Sequence, residues 1–312
     1  MNSNLPYTEK PGWPWDESHE IYPDCMTSGT EWPKISIVTP SFNQAQYLEE
    51  TIRSVLMQGY QNLEYIIIDG GSTDGSVEII KKYEPWLAYW VSEKDKGQSN
   101  AINKGFHLAT GELAGWINSD DIFFPGAFKA VVSYWIENGR PNALITGSKL
   151  KGNSALDKLT RLEQYPLTIK HLVEKNIIEQ PSTFYPLSLL QEVGYIDERY
   201  RMSMDYDLWL RMAKHGADLV FLNSDLAVTR VYPETKTHRF QRRSLTEVLQ
   251  SVWRNYRVIP ESWLKKFLTV WIVPRDMQSP FLQRVLFLIR NIVFSGTKGI
   301  LGLLNLLNYS EK

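Results

Sequence analysis

Read from the N-terminus, the pattern of hydrophobic and polar positions falls into three regimes. Residues 1–33 ("KPGWPW", "TEWPK") keep neither helical nor strand periodicity and are rich in Pro and Trp. They predict an extended leader on a domain surface, with Trp13, Trp15 and Trp32 as its pins. From Lys34 the pattern becomes regular. "KISIVTP" predicts a strand ending at Pro40, and "QYLEETIRSVLMQ" puts Leu48, Ile52, Val55 and Leu56 on one helical face. "LEYIIID" predicts a second strand ending at Asp69, followed by the turn "GGSTDGS" and the short helix "VEIIKKY". "LAYWVSE" reads as a third strand, "GQSNAINKGFHLATG" as a helix and "ELAGWIN" as a fourth strand. Largely apolar strands alternating with helices predict an α/β fold, its sheet mostly parallel and flanked by helices on both faces.

Open sheets of this kind collect ligands at the carboxyl ends of their strands. Polar residues gather at those ends: Thr39, Ser41 and Asn43 after the first strand, Asp69 after the second, and Asn118, Asp120 and Asp121 after the fourth. The first strand is followed by "TPSFNQ" rather than G-x-G-x-x-G, and no G-x-x-x-x-G-K-[ST] occurs, so hydride transfer and P-loop ATP hydrolysis are demoted. Two adjacent carboxylates repel, so either one takes up a proton or a cation sits beside them. Few carboxylates completed by phosphate oxygens and water suit Mg²⁺ or Mn²⁺. Two solvated turn acids are the competing reading. The small residues Ala114 and Gly115 on the preceding strand favour the metal, as places where a ligand approaches closely.

Composition narrows the field. With 312 residues, 43% hydrophobic and 22% charged, the chain has the make-up of a folded protein with a sizeable core. Cys25 is the single cysteine, no Cys/His cluster has zinc spacing, and the N-terminus lacks a secretory pattern. These point to the cytoplasm, at the inner face of a membrane if the tail docks there. A net charge of −1 hides an asymmetry: residues 229–312 carry 14 Lys/Arg against 5 Asp/Glu, and the first 228 carry 20 against 30. The tail alternates apolar clusters with Arg and Lys ("SWLKKFLTVWIV", "FLQRVLFLIRNIVF"). It reads as amphipathic helices that either make peripheral contact with a membrane or pack on the catalytic domain or another subunit. The expected division is a leader (1–33), a catalytic domain (34–228, with a donor half 34–150 and an acceptor and base half 151–228) and a basic helical C-terminal region (229–312).

Four stretches, "ISIVTPSFNQAQYLEETIRSVLMQ", "YIIIDGGSTDGSVEIIKKY", "EKDKGQSNAINKGFHLATGELAGWINSDDIFFPGAF" and "QPSTFYPLSLLQEVGYIDERYRMSMDYDLWLRMAKHG", resemble in order the motifs of family 2 glycosyltransferases. The resemblance implies a GT-A fold with a Rossmann-like sheet. It also implies inverting transfer of a sugar from a nucleoside diphosphate, UDP by default, to a hydroxyl of a glycan or lipid-linked acceptor in cell-surface polysaccharide synthesis. Carried onto this sequence, Thr39, Pro40, Ser41 and Asp69 would hold base and ribose, and Asp95 and Asn103 would line the donor pocket. Asn118, Asp120 and Asp121 match the D-x-D type motif for ribose and a divalent metal (Mn²⁺ or Mg²⁺), with Asp120 and Asp121 its ligands. Asp205 matches the general base. Three positions depart from the family pattern: Gly70 and Asn118 stand where acids are usual, and Met204 where Glu is usual.

Sugar transfer needs a base within hydrogen-bond reach of the acceptor hydroxyl. Asp205 is the candidate, and for Asp207 a capping or packing role is favoured. Gln180 and Ser182, read as preceding an apolar helix, are candidates for the acceptor side. Lys236 and His238 are candidates for the diphosphate, against the reading of a solvated basic loop. A nucleotidyltransferase of α/β fold and a non-catalytic sugar-binding relative are the alternatives, and nucleic acid is not an expected partner.

Overall fold

Residues 5–15, 26, 29, 31–148, 150–233 and 240–272 are described by the computed structural model. The expected apolar runs form β1 (Ile35–Ser41), β2 (Leu63–Asp69), β3 (Tyr89–Ser92) and β4 (Leu113–Trp116), all mutually parallel where they pair. Period two sends alternate side chains to opposite faces. Ile35, Ile37, Tyr65 and Ile67 pack with α1 (Ala45–Leu56), α2 (Ser76–Tyr83) and α4 (Ala127–Glu137). Val38, Ile66, Ile68 and Trp116 pack with α3 (Gln98–Leu108), α6 (Leu187–Glu192) and α7 (Met204–Lys214). The four apolar positions expected on the first helix, Leu48, Ile52, Val55 and Leu56, are all buried.

Three more strands complete a seven-stranded sheet: β6 (Ala143–Thr146), β9 (Thr183–Pro186) and β10 (Asp218–Phe221), in the order β10-β6-β9-β4-β1-β2-β3. The sheet is mostly parallel, but β9 runs antiparallel to both of its neighbours. Gln180 and Ser182 therefore lie in a 3-10 turn that leads into a strand, and not directly into the expected helix. Insertion of β9 also changes the account of Gly115. A Cβ there would sit 3.2 Å from Phe184 Cδ1 and 3.3 Å from the Thr183 carbonyl, so its smallness admits a neighbouring strand rather than a ligand.

A second sheet, unforeseen in the sequence, joins β5 (Ile122–Phe123), β11 (Ala227–Arg230), β7 (Leu150–Gly152) and β8 (Leu159–Arg161) in the order β5-β11-β7-β8. The domain boundary expected at 228 falls inside β11. Helix α8 (Gln241–Tyr256) packs on α7, and α9 (Glu261–Ile272) packs on α8 and on α5 (Ile169–Glu174), with Trp263 Nε1 donating to the Val173 carbonyl at 3.0 Å. Of the two roles expected for the tail, docking on the domain is what residues 240–272 do; residues 273–312 lie outside the described residues. No described helix is long and apolar enough to cross a membrane.

The described part of the leader lies on the back of α1. Arg53, 3% exposed, donates to the carbonyls of Pro6, Pro14 and Trp15, and Trp13 Nε1 donates to the Phe123 carbonyl at 2.7 Å. Trp32 packs edge-on against Tyr60. Cys25 lies outside the described residues.

Candidate active site

The strands β1 and β2 end in register, Ser41 beside Asp69. Asp69 is fully buried and is used by its own turn. Its Oδ2 accepts from the amides of Gly71 and Ser72 and from Ser92 Oγ, and its Oδ1 accepts from Ser72 Oγ. Thr39, equally buried, bonds the Tyr65 hydroxyl at 3.0 Å. Asn43 takes a left-handed backbone (φ 51°), which Asn tolerates better than most residues. Its amide donates to Ser72 Oγ and its Oδ1 accepts from the Thr73 amide, stapling the loop after β1 to the turn after β2. Together these three residues hold one wall of a cleft of about 1370 Å³, lined there by Pro40, Ser41, Phe42, Gly70, Gly71 and Thr73. Ser41 Oγ is buried and has no hydrogen-bond partner, and Phe42 is 60% exposed at the mouth.

Asp95 lines the same wall and accepts from the Gly97 amide at 2.6 Å. A Cβ at position 70 would lie 2.9 Å from Asp95 Oδ2 and 3.2 Å from Phe42 Cδ2. The departure at Gly70 thus makes room for a carboxylate supplied from beyond β3. Asn103 is placed away from the cleft: it exchanges hydrogen bonds with the backbone of Ile196, tying α3 to the segment before α7.

Beyond β4 the chain turns through Asn118–Asp121, with the Asp121 amide donating to the Asn118 carbonyl. The two acids diverge. Asp120 lines the cleft, and its Oδ2 accepts from the Tyr232 hydroxyl at 2.8 Å. Asp121 is 2% exposed; its Oδ1 accepts from the Arg230 amide and its Oδ2 from Asn118 Nδ2. Burial, and then the charge of Asp120, raises Asp121 well above the usual carboxylate range. Asn118 is a hub, accepting from Gln98 Nε2 and donating to Asp121 and to Gln180 Oε1, while Gln180 Nε2 donates to the Trp116 carbonyl. An Asp at 118 lacks the two donors this hub needs.

Arg230 underlies the turn. It is 3% exposed, its Nε donates to the Asp120 carbonyl at 2.7 Å, its guanidinium pairs with Glu50 at 2.6 Å and bonds the Ser154 carbonyl, and it stacks 4.4 Å from the Tyr47 ring. Among the described residues no group of three or more His, Cys, Asp or Glu side chains is placed to hold a metal ion. One or two carboxylates do fit a cation whose remaining ligands arrive with a substrate's phosphates.

The facing wall is the start of α7. Met204 and Asp205 line the cleft, and Met204 Sδ accepts from Ser99 Oγ, so the departure from Glu at 204 packs toward α3. Asp207 points away: it pairs with Arg211 at 2.7 Å and accepts from Ser251 Oγ. The turn leading into α7 is held from α8, where Glu247 Oε2 accepts from the amides of Arg201, Met202 and Ser203. Gln180 lines the cleft, whereas Ser182 is fully buried and donates to the Ser148 carbonyl. Lys236 and His238 lie outside the described residues.

Phe42, Gln98, Arg230, Tyr232 and Glu247 were missed from the sequence. Arg230 had a signal: in "AVTRVY" it falls on the same strand face as Val228, and a cation on a buried face requires partners.

The profile described as "Glycosyl transferase family 2" matches residues 36–186. An uncharacterised glycosyltransferase of Mycobacterium tuberculosis (strain H37Rv) is 31% identical over 185 residues, 59% of this chain and 70% of that protein. One from Rickettsia typhi is 26% identical over 68% of this chain and 69% of its own length. Among solved structures, the mannosyltransferase PcManGT from Pyrobaculum calidifontis, in complex with GDP-Man and Mn²⁺, superposes with a TM-score of 0.58 over 95% of this chain and 88% of that one, at 17% identity. TarS of S. aureus (residues 1–349) in complex with UDP-GlcNAc gives 0.58 over 77% and 72%, at 15% identity. A cleft at the carboxyl ends of a mostly parallel sheet, the fold of these transferases and the sequence kinship agree, and the chain belongs to glycosyl transferase family 2, as a glycosyltransferase of GT-A fold.

Proposed function

We propose that the protein moves a sugar, with inversion, from a nucleoside diphosphate to an acceptor hydroxyl in cell-surface polysaccharide synthesis. The observation that carries this reading is one cleft lined on one side by the Asp120–Asp121 turn and on the other by Asp205. In it the unpartnered Ser41 Oγ, Asp95 and the exposed Phe42 ring meet the nucleoside. Asp120, with Asp121 behind it, would hold a divalent cation, which when bound neutralises charge on the departing diphosphate. Asp205 accepts the proton of the acceptor hydroxyl as that oxygen attacks the anomeric carbon from the face opposite the diphosphate. Neighbours solved with UDP-GlcNAc and with GDP-Man and Mn²⁺ support the donor class, and UDP is the nucleotide proposed here.

The test is a thermal melt of the purified protein against a panel of UDP- and GDP-sugars, with Mn²⁺, with Mg²⁺ and with chelator. A ligand that binds only the folded state raises the melting temperature. One donor class should do so only with metal present. No shift with any nucleotide sugar, or an equal shift in chelator, would overturn the reading.

A further inference from the structure

Besides the acid turn and Asp205, the cleft has an end lined by Lys151 on β7, Asn176 after α5, and Trp263 and Lys266 on α9. That end is built by docking α9 against α5. Ser262 Oγ donates to the Glu174 carbonyl at 2.6 Å, and buried Trp263 donates through Nε1 to the Val173 carbonyl and the Tyr206 hydroxyl. The docking brings Lys266 alongside Lys175, whose ammonium sits 3.8 Å from the centroid of the Tyr165 ring, and alongside Lys151.

Among the described residues none of these three lysines forms an ion pair. The acid facing this part of the cleft, Glu179, accepts instead from Thr229 Oγ1 and adds to the field at Asp121. Partial desolvation, and then the charges of Lys175 and Lys151, lowers Lys266 from the usual lysine range. Among the described residues, then, Lys151, Lys175 and Lys266 make no ion pair, and Glu179 on the same cleft is bonded by Thr229. Trp263, 6% exposed, closes this end of the cleft, with Lys266 Nζ 5.2 Å from its ring centroid.

We propose that this end of the cleft takes a phosphate-bearing acceptor, its anionic group seated on Lys151 and Lys266, with Lys175 adding its charge from behind, while its hydroxyl reaches Asp205. The proposal rests on the transferase reading above. The phosphate belongs either to a soluble phosphate-containing polymer or to a lipid-linked diphosphate, and the two share the chemistry that the lysines recognise.

The full chain, loaded with saturating UDP and Mn²⁺, is titrated calorimetrically with glycerol 1-phosphate, with geranyl diphosphate and with glycerol as the uncharged control. At least one phosphate probe should bind and glycerol should not. In the double variant Lys151→Gln/Lys266→Gln the affinity should fall about tenfold or more, with UDP affinity and melting temperature kept, and Lys151→Arg/Lys266→Arg should restore it. Binding of glycerol 1-phosphate alone assigns the soluble source, and of geranyl diphosphate alone the lipid source. No binding of either probe, or equal binding to the Gln variant, overturns the proposal. The titration is repeated without nucleotide, so that failure of UDP to bind, which overturns the donor reading, still leaves the lysine comparison decisive.

Discussion

Asp205 and Asp207 stand two residues apart on one helix and have opposite surroundings. Asp205 lines the cleft, whereas Asp207 is held by Arg211, Ser251 and Asn255. Replacing Asp205 by Asn should lower kcat by about 10²–10⁴ with nucleotide binding retained, the range for loss of a positioned base. Initial rates beside calorimetric UDP titration check it, and unchanged turnover would remove Asp205 as the base. Asn118→Asp should act differently. It removes both amide donors of the hub and adds a third carboxylate to the turn, so it should cost about 1–3 kcal/mol of stability, read by urea unfolding. At this scale the sequence was legible where a motif marks a residue and opaque where geometry does. Asp120, Asp121, Asp95 and Asp205 do line one cleft. Asp69 and Thr39 carry the same motif signal yet face inward, because a short polar side chain at a strand end serves its own turn as readily as a ligand.

Elements couple these residues across long stretches of chain. Glu247 on α8 accepts from the amides of residues 201–203 and so holds the turn from which α7 and Asp205 start. Glu247→Gln turns a charged acceptor of three amides into a neutral one. It should lower stability by about 1–2 kcal/mol and reduce kcat more than it weakens UDP binding, which a KM-against-kcat comparison with a parallel melt separates. Arg230→Met leaves Glu50 half-buried without its cation and the Asp120 carbonyl without its donor. Breaking such a pair costs about 3–5 kcal/mol, to be read as a drop in the urea midpoint. The first four strands and first three helices could be read from the sequence because they alternate regularly. β9 and β11, no shorter than β3 and β4, fall outside that alternation, and β5 spans only two residues. Such strands are specified by their partners across the sheet more than by their own pattern.

For the whole molecule, the charge split sets residues 229–312 apart in composition but does not tell where they sit. Residues 240–272 complete the domain instead of hanging from it, and β11 carries the sheet past the expected boundary. A chain ended at 228 therefore loses Arg230, Tyr232 and Glu247 together; it should lose its cooperative melt and recover no UDP binding, whereas independent folding of 34–228 would restore the three-part division. Arg230, whose amide bonds Asp121 109 residues earlier in the chain, also has a consequence for synthesis. Chains fold from the N-terminus as they are made. A nascent chain still short of residue 230 at the ribosomal exit therefore presents its two aspartates with no strand to seat them. Chaperone demand and pausing should concentrate in that interval, after most of the sheet has been translated and before the acid turn can close.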